Sequence, residues 1–116
     1  MRAFSSAICF SLLTNSAIAA TISIDIPGNK KPEKESVSYT CGKQLIKADY
    51  INSESTSLVV LTINKVTTIA ANVVSASGSK YMGDGITWWA KGDNATLYQF
   101  PEGSDVEEQI SCHERK

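Results

Sequence analysis

Apolar residues fall on every second position through much of the chain, the period of a strand with one buried face rather than that of a helix. Residues 21–26 carry isoleucine at 22, 24 and 26, so they read as a first strand or an extended arm. Residues 27–35 (PGNKKPEKE) are charged and proline-containing, which predicts a solvated linker. The compact domain is expected from Ser36 onward. Val37, Tyr39 and Cys41 alternate and predict a strand, with a turn at Gly42-Lys43. Residues 45–50 read as the returning strand, although Lys47 and Asp49 leave a helix open. Residues 52–57 are a polar loop. Residues 57–63 (SLVVLTI) are the most apolar strand, and Asn64-Lys65 is a tight turn into residues 66–70. Residues 72–74 lead into a run of small residues, 75–79 (SASGS), too poor in bulk for a core strand. Tyr81 and the turn Gly83-Asp84-Gly85 follow. Residues 86–91 (ITWWAK) are dense in β-branched and aromatic side chains, which suits a strand. A turn at 92–94, a strand at 95–100, a loop at 101–105 and a last strand at 106–112 complete the pattern. Seven or eight short strands with polar turns and no long helical period predict an all-β domain. The pattern alone does not choose between a sandwich and a barrel.

The first twenty residues depart from this pattern. Arg2 is their only charge, residues 7–13 are apolar, and Ala17-Ile18-Ala19 fits a small-x-small cleavage site. That layout predicts a secretory signal peptide over residues 1–19. Cleavage after Ala19 leaves 116 − 19 = 97 residues, enough for one core. They are expected as an arm and linker at 20–35 and one domain at 36–116. Cys9 lies inside the apolar run behind a poor lipid-attachment signal, so a soluble periplasmic protein with no membrane anchor is expected. Without Arg2 the chain carries 10 Lys+Arg against 12 Asp+Glu, a net charge of −2. This balance argues against a nucleic-acid binder and a polybasic membrane-surface protein, and it is compatible with a basic partner. Two cysteines remain, Cys41 and Cys112. An even count in an exported chain argues for a disulfide between them, two free thiols being the alternative. His113 is the only histidine and no CxxC is present, so no metal site is expected. No cofactor is implied. The sequence leaves room for a homodimer.

Candidate chemistry concentrates in residues 75–91. A hydroxyl-rich loop held against a rigid strand is where recognition often sits, though such loops are commonly no more than solvated turns. The particular residues favour recognition. Ser75, Ser77, Gly78, Lys80 and Tyr81, followed by Trp89, Lys91, Gly92, Asp93 and Ala95, resemble the membrane-bound and periplasmic inhibitors of c-type lysozyme made by Gram-negative bacteria. Tyr39 and Cys41 match the Y-x-C segment of that family. The likeness covers residues 37–112. It departs at Ser79, a hydroxyl beside the basic position, and at residues 52–57.

The resemblance implies a small antiparallel β-barrel of about eight strands closed by a disulfide. It also implies a non-enzymatic protein whose partner is a c-type lysozyme. By position, Ser77 and Lys91 are implied to meet the partner's catalytic carboxylates. The rest of the loop, Ser75, Ala76 and Gly78, would enter the cleft with them, and Lys80 and Tyr81 would add contacts beside it. Other readings of the same residues stay open: a capped turn at Ser77, a solvated strand end at Lys91, a core position for Tyr81. Trp88 and Trp89 point to opposite faces, and Trp89, sharing the parity of Lys91, is expected outward. A small β-barrel binding module for a periplasmic ligand is the alternative function. An enzyme has little support, since the sequence offers no nucleophile motif.

Overall fold

The structure, a computed structural model, describes residues 20–116, so the expected signal peptide and Cys9 lie outside the described residues. The chain forms β1 (Glu33–Cys41), β2 (Gln44–Asn52), β3 (Ser57–Ile63), β4 (Val66–Val73), β5 (Ser79–Gly83), β6 (Ile86–Lys91), β7 (Asn94–Gln99) and β8 (Glu108–Glu114). Each strand pairs antiparallel with its neighbours in sequence, and β8 returns to β1, giving a closed eight-stranded barrel. The expected all-β barrel is therefore observed, with Cys41 bonded to Cys112. Residues 45–50, for which a helix was open, lie in β2.

Turn chemistry sets the hairpins. Asn64 and Lys65 have φ of 49° and 66°, and Asp84 and Gly85 have φ of 43° and 73°. Two successive left-handed residues make the I′ turn, whose twist matches that of the flanking strands. Residues 21–26 form no strand; Ile22 and Ile24 are exposed, so this stretch is an arm. β1 begins at Glu33, inside the stretch expected as linker, because residues 33–37 pair with β2 as far as Asn52. β5 was unread in the sequence: Lys80 and Tyr81, expected beside the loop, belong to a strand paired with β4 and β6.

Inward positions of the strands fill the barrel. Trp88 is fully buried at its centre, with Ile46, Val59, Leu61 and Leu97 around it. Tyr39 meets its ring edge-on at 5.1 Å and 78°. Trp88 Nε1–H donates to the Tyr50 hydroxyl at 2.9 Å, and the Tyr50 and Tyr39 hydroxyls share a hydrogen bond of 2.8 Å. No buried side-chain nitrogen or oxygen among the described residues lacks a partner. These bonds matter because an unpaired polar atom in such an interior costs about 1–3 kcal/mol.

The closure is uneven. β1 and β2 share nine residue pairs, whereas β1 and β8 share three: Tyr39 with Glu114, Thr40 with His113, and Cys41 with Cys112. β4 and β5 also share only three pairs, and the disulfide crosses the β1–β8 seam of the two.

Candidate functional site

β6 is the element on which the site is built. Its inward residues, Trp88 and Ala90, belong to or pack on the core. Its outward residues, Trp89 and Lys91, face away from it, as strand alternation requires. Across the ladder Lys80 of β5 sits opposite Trp89. The Lys80 ammonium lies 4.4 Å from the centre of the Trp89 ring and the Lys91 ammonium 4.2 Å. Both distances are within the range in which a cation is held by the ring's quadrupole. Among the described residues neither lysine has an ion-pair partner. Two cations thus converge on one aromatic side chain, and neither has a carboxylate within 4.0 Å among the described residues.

The loop between β4 and β5 folds over this surface. Trp89 Nε1–H donates to the Ser77 carbonyl at 2.8 Å, and Ser75 Oγ–H donates to the same carbonyl at 2.7 Å. The backbone of Ser77 is thereby fixed from two sides while the residue stays exposed. Gly78 makes the close approach. Its φ is +66°, and an added Cβ would lie 2.5 Å from the Ala90 carbonyl oxygen and 2.6 Å from Lys91 Cγ. Only glycine lets the loop lie this close to the end of β6.

Of the expected site residues, Ser75, Ala76, Ser77, Gly78, Lys80 and Lys91 are gathered on one outer surface around Trp89. Tyr81 is not. It is 4% exposed and belongs to the core, because β5 places it opposite Trp88 on the inward face. Its expected role as an outer contact is corrected accordingly. Its ring packs 5.8 Å from Tyr50, and it lines an open recess of about 290 Å³ at the barrel mouth with Tyr39, Tyr50 and Ser79. Burial pushes the Tyr39, Tyr50 and Tyr81 hydroxyls above the ordinary tyrosine value; at Tyr39 the Tyr50 hydrogen bond adds to it. Trp89 is the residue sequence reasoning left out of the site. Its shared parity with Lys91 was the available signal, but the bond to Ser77 needed the loop's path. Among the described residues no group of three or more His, Cys, Asp or Glu side chains comes together as a metal site.

Comparison with known proteins adds four findings. The family model described as membrane-bound lysozyme-inhibitor of c-type lysozyme matches residues 39–105. A protein of Pseudomonas aeruginosa named membrane-bound lysozyme inhibitor of C-type lysozyme is 36% identical over 92 residues, covering 78% of this chain and 72% of the relative. One of the same name from Cupriavidus necator is 36% identical over 73 residues, covering 62% of this chain and 58% of the relative. Among solved structures, Pseudomonas aeruginosa MliC in complex with hen egg white lysozyme superposes with a TM-score of 0.69 at 34% identity. That match covers 85% of this chain and 100% of the other.

Proposed function

The chain belongs to the family of membrane-bound lysozyme inhibitors of c-type lysozyme, a family of inhibitor proteins and not of enzymes, and on that premise we propose that it blocks a c-type lysozyme by inserting residues 75–80 and Lys91 into the enzyme's cleft. Lysozyme works with two carboxylates, one of them a general acid. An inhibitor needs only to give them better partners than water or sugar. Lys91 offers an ammonium and Ser77 a hydroxyl, the donors a carboxylate accepts. The observation that carries the reading is the pair of lysines over Trp89, neither in an ion pair among the described residues, flanked by the pinned loop. The solved complex of a relative with hen egg white lysozyme supports the partner class.

The test is titration of residues 20–116 against a c-type lysozyme while cell-wall lysis is followed. Wild-type protein inhibits. Lys91→Ala weakens binding by about 2 kcal/mol or more, as losing a desolvated charge partner typically does, and leaves the melting temperature in place because the residue is exposed. A fully active enzyme at saturating inhibitor would sink the function. Undiminished inhibition by folded Ser77→Ala/Lys91→Ala would move the site elsewhere.

Export belongs to the same proposal. The relatives' names place them at a membrane, which suits the cell envelope. We read residues 1–19 as a signal peptide, 20–35 as an arm with linker, 36–116 as the inhibitory domain, and the mature protein as free of lipid. The mass of the protein recovered from the envelope decides, since a lipidated form would carry added acyl mass. The second reading, a ligand-binding module, has the recess at the barrel mouth in its favour. The Trp88-filled interior weighs against it.

A further inference from the structure

Resting on the proposed function, we infer that Trp89 is the positioning residue of the inhibitory surface, locking the loop to β6 and gathering the Lys80 and Lys91 ammoniums before any partner arrives. Three contacts meet on this one side chain. Its N–H holds the Ser77 carbonyl at 2.8 Å. Its ring lies 4.4 Å from one ammonium and 4.2 Å from the other. The carbonyl it holds also takes the Ser75 hydroxyl, so the indole anchors an internally bonded turn of the loop to β6. Neighbouring Gly78, which would clash with β6 if it bore a Cβ, keeps the loop low enough for the bond to form.

The free energy of binding depends on how much motion the partner must freeze out. Two flexible lysines and a five-residue serine-glycine loop would each lose conformational freedom on docking. Contacts already made in the free protein remove part of that cost. Trp89 does so without touching the core, because strand alternation turns it away from Trp88. Its two functions are chemically separable. Phenylalanine keeps a ring face for the cations and lacks the N–H donor, while leucine lacks both.

The experiment compares the purified protein with Trp89→Phe and Trp89→Leu, first alone by NMR and then in inhibition of a c-type lysozyme. In the free wild-type protein the Trp89 indole N–H exchanges slowly, residues 75–78 are ordered, and the Lys80 and Lys91 side-chain methylenes are shifted upfield by the ring. Trp89→Phe keeps the shifted lysines, loosens residues 75–78 and weakens inhibition about five- to tenfold. Trp89→Leu loses both signatures and weakens inhibition about thirtyfold or more. In the Trp89→Leu background, Lys91→Ala costs less than in wild type, because the lysine is no longer held. Rapid indole exchange in the wild type, or Trp89→Phe with an ordered loop and unchanged inhibition, overturns the inference. Should Trp89→Leu fail to fold, wild type and Trp89→Phe decide alone. If wild type inhibits no c-type lysozyme, the functional reading falls while the measurements on the free protein still decide the clamp.

Discussion

Gly78 shows how much one side chain's absence can carry. An alanine there would adopt a φ of +66° and drive its Cβ to 2.5 Å from the Ala90 carbonyl oxygen. A backbone oxygen inside a sheet has nowhere to go, so the loop must rise instead. Gly78→Ala is expected to weaken lysozyme inhibition about tenfold or more, from the left-handed backbone cost alone. Its melting temperature should fall by several degrees, since the same backbone cost is taken from the folded state. Inhibition assays beside a thermal melt check both halves. This glycine was legible in the sequence as a turn residue. The surface it approaches was not, because nothing in SASGS says that the Ala90–Lys91 backbone passes beneath.

At the scale of elements, hairpins were easier to read than strands without apolar alternation. Asn64-Lys65 was visible as a turn, and the structure adds that both residues are left-handed. Lys65 is a poor occupant of that conformation, where glycine is at ease. Lys65→Gly is therefore expected to stabilise the protein by about 0.5 kcal/mol or more, read as a higher midpoint in denaturant. β5 escaped notice for a physical reason. Ser79 and Gly83 at its ends carry no strand propensity, leaving Tyr81 as the single inward apolar side chain. Without the strand, the parity that sends Tyr81 into the barrel and Lys80 out of it was invisible. β1 was read late for the same cause: Glu33, Lys34 and Glu35 are exposed, so burial leaves no mark on the sequence there. β3, with its apolar run, was legible to the residue.

For the whole molecule, stability depends on a seam and an interior. The three-pair contact of β1 with β8 is crossed by the disulfide, which joins residues 71 positions apart. On the chain-entropy account, Cys41→Ala/Cys112→Ala loses about 4 kcal/mol. For a domain of this size that lowers the melting temperature by roughly 15–30 °C. Calorimetry of the variant beside wild type is the check. The interior adds an alkaline limit. The folded values of Tyr39, Tyr50 and Tyr81 lie above the ordinary 10.0, so the fold favours their neutral forms. Their contribution is complete below pH 10 and is lost as pH rises through the unfolded value toward the folded ones. Denaturant midpoints measured from pH 8 to 11 should hold and then fall, with tyrosinate absorbance rising together with unfolding. Trp88 and Trp89, adjacent in the chain, point to opposite faces of one wall of the barrel. On the proposed site, an adversary that reshapes its cleft is followed by changes at 89 and 91 while 88 and 90 stand still, so adaptation along this strand proceeds in steps of two.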